Sequence, residues 1–478
     1  MIKFENTYTD LPEILYSSEV PDTVQNPQLL AFNKELASDL GISLSDLDDK
    51  DLAMLFSGQV IPDGASSVAL AYAGHQFGHF VPQLGDGRAM LLGEVKSPQG
   101  KQYDVQLKGS GRTNYSRGGD GKSSLGPVVR EYIVSEAMHF LGVPTTRALA
   151  AVSTGENVYR EQPLPGGVFT RVASSHIRVG TFEFLAARGE NDSIRLLVEY
   201  CIQRHFPHIA NEEDIILKFL HEVAKVQSKM VAHWLSLGFI HGVMNTDNMS
   251  ISGETLDFGP CAFIDNFSRG RVFSSIDKNG RYSYGNQINI AKWNLSRLAS
   301  CLIPLIGEDE KEAITLLENS INSYLDIYES DRLTKMIPKF GLFESTDKDS
   351  DVVEKWLDYL ESEDLDFTNS FRALSGDLSN FKKTPLFDQF HELWTDRLSN
   401  QAQDLDEARA LMNSSNPIYI PRNHQVERAI QASLSGDHSV MTQMNELLKR
   451  PFIEQTDFEE YKKAPLENER VTATFCGT

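Results

Sequence analysis

Residues 241–259 read HGVMNTDNMSISGETLDFG, and the fold is decided by what this stretch can bind. It follows a long amphipathic segment and reads as a loop, a short turn and a second loop. Asp247, Asn248 and Asp257 place three oxygen-bearing side chains within a short span of chain. An Asn and an Asp at that separation suit a divalent cation riding on nucleotide phosphates. Mg²⁺ takes few protein oxygens and leaves room for phosphate oxygens. Taken alone, the stretch has a plain alternative, an ordinary polar loop followed by a chance turn.

The triplet Asp257-Phe258-Gly259 is the magnesium-binding signature of protein kinases. Asn248 stands where a kinase catalytic loop, H-x-D-x-x-x-x-N, carries its metal-binding Asn, counted from His241. The base of that loop is missing, because its position holds Val243. A carboxylate is found instead at Asp247, beside the metal Asn. His241 reads as a loop-organising histidine, its ring fixing the turn by hydrogen bonds rather than carrying protons.

Upstream, Gly85-Asp86-Gly87-Arg88 precedes an apolar run, Ala89 to Val95, and the polar turn SPQGKQ. Then Tyr103, Val105 and Leu107 alternate with Asp104, Gln106 and Lys108, the pattern of a strand ending in lysine. A glycine turn, strand, tight turn and strand in that order form a hairpin able to lay N–H groups and one ammonium against a polyphosphate. It is also the order of a kinase N-lobe. A second glycine-rich loop, GSGRTNYSRGGDGKSSLGP, carries Asp120 and Gly121. It fails the Walker pattern, since the first glycine of G-x-x-x-x-G-K-S would fall on Ser116.

A helix is expected over 127–141, with Pro127 in its first turn. Glu131 and Glu136 are both candidates to pair with Lys108, and spacing does not choose between them; both also fit a solvated face. Arg171 falls at a strand end and Arg178 near a helix start. They fit forked donors around phosphates and structural ion pairs equally well.

The chain of 478 residues is long enough for two or three lobes, and its formal net charge of −22 disfavours nucleic acid or an anionic membrane as the main partner. No apolar run reaches transmembrane length and the opening has no signal-peptide core, so a cytoplasmic, monomeric protein is the expectation. Cys201, Cys261, Cys301 and Cys476 are widely spaced and offer no zinc pattern. The stretch QNPQLLAFNKELASDLGI reads as one amphipathic helix closed by Gly41. Helices are expected over 192–206 and 211–238, the second opening with acids, and through most of 288–448. The tail from 451 reads as polar and loosely packed.

With these motifs in hand, the chain resembles the selenoprotein O family of protein kinase-like proteins. The resemblance runs over essentially the whole length. It includes GHQFGHFVPQLGDGRA, QLKGSGRT, DFGP and PIYIPRNH at 417–424. It implies an α+β, bilobal kinase-like fold, with a small β-rich N-lobe, a large helical C-lobe and extra terminal segments. The corresponding division is 1–60, 61–190, 191–450 and 451–478.

It further implies ATP bound in reverse relative to ordinary kinases, and transfer of AMP to Ser, Thr or Tyr hydroxyls of proteins. Under the resemblance, Gly85, Gly87, Arg88, Asp120, Gly121, Arg171 and Arg178 line the nucleotide. Lys108 holds phosphates and pairs with Glu131, Asp247 accepts the proton, and Asn248 and Asp257 bind Mg²⁺ or Mn²⁺. A reversed nucleotide makes sense of Val243, because a base aimed at γ-phosphoryl transfer has no use there. Some bacterial relatives are thought to pair the terminal cysteine with one in the loop after DFG. Here 267–285 holds no cysteine, so that switch is not expected of Cys476. Competing readings are Mn²⁺-dependent UMP transfer, γ-phosphoryl transfer, and a nucleotide-binding scaffold without catalysis.

Overall fold

The computed structural model describes residues 2–346 and 348–475, so Cys476 lies outside the described residues. The N-terminal lobe is built on one antiparallel sheet. In chain order the strands of the molecule are β1 (Tyr16–Ser18), β2 (Gln28–Phe32), β3 (Val68–Leu70), β4 (Gly74–Gln76), β5 (His79–Val81) and β6 (Ala89–Lys96). They continue as β7 (Gln102–Lys108), β8 (Ser123–Ser124), β9 (Arg147–Tyr159), β10 (Pro163–Ala173), β11 (Phe239–Ile240) and β12 (Ala262–Phe263). The main sheet runs β1-β3-β6-β7-β10-β9-β2, with β8 on β10. β4 and β5 form a separate hairpin, and β11 pairs with β12 around the catalytic loop.

The register of the sheet aims the charged residues. Lys108 lies opposite Ala89 of β6 and Phe169 of β10, at the end of the sheet where the Gly85–Arg88 turn enters. Arg171 lies opposite Gln106. Asp104, Gln106 and Lys108, the polar side of β7, are all buried, so helices and loops cover both faces of this strand.

The expected helix over 25–42 is corrected: Gln28–Phe32 is strand β2 against β9, and only Lys34–Asp39 is helical. An apolar run of that length suits either state, and pairing with a strand far along the chain overrides the local periodicity. Asn33 caps the short helix through Leu36 N–H, and Gly41 ends it with φ +72°.

Three helices carry the site. They are α1 (Leu125–Phe140), α2 (Val179–Ala186) and α3 (Ile215–Ser236). Both glutamates of α1 are buried, which rules out the solvated-face reading. α3 starts later than expected because Asp214 adopts φ +52°, leaving the preceding acids in a turn outside the helix. It stops at Gly238 and delivers the chain to β11 and His241. Beyond the catalytic loops the chain is helical, beginning with α4 (Gln287–Ile306) and α5 (Glu310–Asn322). The whole is a kinase-like bilobal fold.

The tail differs from expectation as well. Thr474 is buried and pairs in parallel with Ser274, and its Oγ1 donates to the carbonyl of Pro260. A polar segment packs tightly here because its backbone closes hydrogen bonds on the loop after Asp257-Phe258-Gly259.

Candidate active site

At the centre, the Lys108 ammonium lies 2.5 Å from Glu131 Oε1 and also binds Asp257 Oδ1. Arg171 donates to the same Asp257 oxygen at 3.2 Å and through Nε to Gln106 Oε1 at 2.7 Å. Gln106 passes the chain of contacts to Asp86 Oδ2 at 2.8 Å. Asp86 in turn faces the Arg178 guanidinium at 3.8 Å. Arg178 donates to the Asp247 carbonyl at 3.3 Å and lies over the Tyr72 ring. One connected network thus joins Lys108, Glu131, Asp257, Arg171, Gln106, Asp86, Arg178 and Asp247.

Burial works to raise the Asp257 carboxyl but is outweighed by Lys108, Arg171 and Arg178, which hold it well below the ordinary carboxylate range. Its side chain is 26% exposed, against 9% for Lys108, 6% for Glu131 and 2% for Arg171. The cluster therefore opens to solvent through Asp257. Asp257 holds φ +65°, a left-handed conformation that Asp tolerates better than most residues and that turns the carboxylate back toward β7.

Asp247 is in the opposite state. Burial is the largest influence on it, and its carboxyl is pushed up from 3.8 to about 6 despite nearby Arg178. Its Oδ1 has no protein hydrogen-bond partner. Gly74 of β4 lies against it so closely that a Cβ there would sit 2.3 Å from Oδ1. A buried carboxylate oxygen without a donor is costly, and such atoms collect at reactive centres.

The loop holding Asp247 is fixed from several sides. His241 is fully buried and bonds the Leu256 carbonyl at 2.8 Å through Nε2, which fits the organising role. Val243 is buried and takes the Asn248 amide nitrogen on its carbonyl at 3.1 Å. Thr246 donates to Glu183 at 2.5 Å and accepts the His75 N–H at 2.7 Å.

The two glycine-rich loops lock together above Lys108. Thr113 Oγ1 donates to the Asp86 carbonyl at 2.7 Å, Ser116 Oγ to the Gly87 carbonyl at 2.5 Å, and Gly109 N–H to the Arg88 carbonyl at 2.6 Å. Gly85 packs under the Tyr115 ring, and Gly121 at φ +69° lies against the Gly111 carbonyl with no room for a Cβ. Asp120 stands apart from the central network: its carboxylate is held by Arg160 at 2.8 Å and by the Lys122 N–H at 3.0 Å.

A family model described as protein adenylyltransferase SelO matches residues 1–450. The chain belongs to the SelO family. Similar proteins include the protein nucleotidyltransferase YdiU of Bacillus cereus (strain AH187), 48% identical over 480 residues, covering 99% of this chain and 98% of the relative. The protein of the same name from Rhizobium johnstonii is 48% identical over 486 residues, covering 99% and 97%.

The donor set of this SelO-family chain fits a divalent cation that arrives with phosphates. The Asn248 nitrogen is committed to a carbonyl acceptor, which leaves its amide oxygen as the ligand atom. With Asp257 it would supply two oxygens. Among the described residues no group of three or more His, Cys, Asp or Glu could hold a metal. A pair of protein oxygens suits Mg²⁺ or Mn²⁺ shared with a nucleotide better than a resident structural ion.

The structure separates the two glutamates of α1. Glu136 binds Arg147 through two hydrogen bonds of 2.8 Å and also holds Asn33 and the Ala148 N–H. Glu131→Gln is expected to reduce nucleotide-dependent labelling by about 10–100-fold with the fold retained, because Lys108 keeps Asp257 as a partner. Glu136→Gln is expected instead to lower stability by about 2 kcal/mol by weakening two charge-assisted hydrogen bonds to the half-buried Arg147. Parallel urea unfolding and labelling assays check both. Equal effects of the two variants on labelling would overturn the assignment.

Asp86, Gln106, Glu183 and Gly74 were missed from sequence. Asp86 had a signal in its place between two candidate glycines, and Gln106 in its position one alternation before Lys108.

Proposed function

We propose that this chain is a protein adenylyltransferase, moving AMP from ATP to Ser, Thr or Tyr hydroxyls of proteins and releasing pyrophosphate. The observation that carries the reading is Asp247: a buried carboxylate with an unpartnered oxygen, beside Arg178, in a loop whose ordinary base position is the buried Val243. The printed names of the family model and of the relatives support the same chemistry.

In this reading Lys108, Arg171 and Arg178 bind phosphate oxygens, and Glu131 keeps Lys108 extended into the cleft. Gly85, Gly87 and Gly121 let the backbone approach the nucleotide, with Arg88 and Asp120 at the rims of the two loops. Asp247 takes the proton from the incoming hydroxyl as its oxygen bonds to the α-phosphorus, and the bond from that phosphorus to the α,β-bridging oxygen breaks. A divalent cation held by Asn248 and Asp257 would neutralise phosphate charge. The partners are ATP and hydroxyl-bearing proteins. No helix among the described residues is long and apolar enough to cross a membrane.

ATP labelled separately at the α- and γ-phosphates tests the reading. Incubated with the chain, Mg²⁺ and a nucleotide-depleted lysate, α-label is expected to stay on protein and γ-label to leave as pyrophosphate. Retention of γ-label without α-label would make this a kinase with an unusual base. An α-labelled UTP arm with Mn²⁺ separates AMP from UMP transfer.

A further inference from the structure

We propose that Trp293, Arg281 and Arg297 form a docking surface for an acidic segment of the protein being modified. The inference rests on the protein-modifying reading above and adds the class of substrate. Trp293 and Arg297 lie four residues apart on α4 and therefore on one face. Two guanidiniums bracket the indole, Arg281 at 4.8 Å and Arg297 at 5.4 Å from its centroid. The His75 ring meets the same indole edge-on at 5.2 Å and leads to Phe80, which is 42% exposed.

This surface sits at the lip of the loop that carries the proposed proton acceptor. On one side the His75 N–H donates to Thr246 at 2.7 Å, and on the other the Tyr282 hydroxyl donates to Asn245 at 2.6 Å. Asn245 and Thr246 directly precede Asp247. A segment held on the indole and its two arginines is thus placed beside the point where a hydroxyl must enter.

Charge indicates what the surface receives. Elsewhere in this lobe Arg269, Arg332, Arg397 and Arg422 are each closed by carboxylates. Among the described residues neither Arg281 nor Arg297 forms an ion pair; the Nε of each is buried without an acceptor, and Arg281 also hydrogen-bonds the Tyr282 side chain, which leaves the terminal nitrogens as the donors for a carboxylate. Two of the nearby acids are already engaged: Asp277 accepts the N–H groups of Arg281 and Tyr282 at 2.9 and 2.7 Å, and Glu183 holds His75 and Thr246, while the exposed Glu318 lines the groove beside Arg297. A guanidinium stacked on an aromatic face keeps its in-plane donors available for a carboxylate. A groove of about 480 Å³ between α4 and α5, lined by Arg297, Ile303, Leu317 and Ile321 among others, continues the surface and seats an apolar neighbour of the acidic residues.

The net charge of −22 sharpens the test, because the overall field favours basic peptides. A preference for an acidic peptide must therefore come from a local site. Three fluorescent peptides with one central Tyr, differing only in flanking Glu, Gln or Lys, are titrated by anisotropy against the full chain and against Arg281→Gln/Arg297→Gln. The Glu peptide is expected to bind at least about tenfold tighter than the Gln peptide, a preference lost in the double variant. Binding of a fluorescent ATP analogue, unchanged in the variant, reports an intact nucleotide site. Equal binding of the Glu and Gln peptides, or a preference that survives both substitutions, overturns the surface. The same peptides with α-labelled ATP separate the two ideas. Glu-peptide binding without label transfer counts against the transferase reading alone, and transfer without sequence preference counts against the surface alone.

Discussion

Asp257→Asn is expected to reduce transfer of α-label from ATP to protein by about 10³-fold or more. Asp257 is the carboxylate on which both Lys108 and Arg171 converge, and it is the exposed member of that cluster. Asn keeps the shape and removes the charge, so the cation ligand is weakened and two buried cations lose their shared counterion. Breaking a buried pair of this kind costs about 3 kcal/mol, at the low end of the range because Glu131 and Gln106 remain as partners.

A second readout separates this from general damage. In EDTA the variant is expected to bind ATP at least as tightly as the parent, since Lys108 and Arg171 are released to the phosphates. Fluorescent-nucleotide titration with and without Mg²⁺ measures it. Transfer within about tenfold of the parent would show that Asp257 is not a ligand of the reaction.

Asp247→Asn is expected to lower transfer by about 10²–10⁴-fold and to make the protein more stable. The two effects share one cause. Burial pushes the carboxyl up to about 6, so at neutral pH the folded chain carries an ionised group that its surroundings disfavour. The folded pKa lies above the unfolded one, so the folded state binds the proton more tightly. The stabilising contribution is complete below about pH 4 and is lost as pH rises through about 6.

Removing the charge should therefore raise stability near pH 7.5 by about 1–3 kcal/mol, with little change near pH 4. Urea unfolding of metal- and nucleotide-free protein across that range tests it. A variant less stable than the parent at neutral pH would mean that Asp247 is a structural anchor. A gain in stability with loss of transfer is the mark of a site held in a strained state for use.

Local chemistry in the sequence was enough to single out Lys108, Asn248 and Asp257 as candidates. Each lies in a short motif whose meaning depends on neighbours a few residues away: an alternating strand ending in lysine, a loop after His241, a DFG turn. The kinase-like class and the departure at Val243 follow from the same local patterns. Spacing did not choose Glu131 over Glu136, since both lie on one helix, and only the family resemblance pointed to Glu131. At 3.6 residues per turn they point about 140° apart, and only the packed helix shows that one faces β7 and the other Arg147 of β9. Strand β2 was misread because its partner lies in β9, and strand pairing over such a separation leaves no local periodicity to read.

By itself, then, the sequence determined the kinase-type loop, the glycine turns and the lysine strand, because these depend on residue type at short spacing, while AMP transfer was implied by the family resemblance. Only the tertiary structure decided which charges meet. The path from Lys108 through Asp257, Arg171, Gln106 and Asp86 to Arg178 joins β7, the turn at Asp257, β10, the Gly85 turn and the start of α2, and sheet register sets its Arg171–Gln106 step. The state of Asp247 was likewise set by the fold. The sequence places a carboxylate beside Asn248, but its raised protonation range, which the proposed role as base calls for, comes from burial against Gly74 and Arg178.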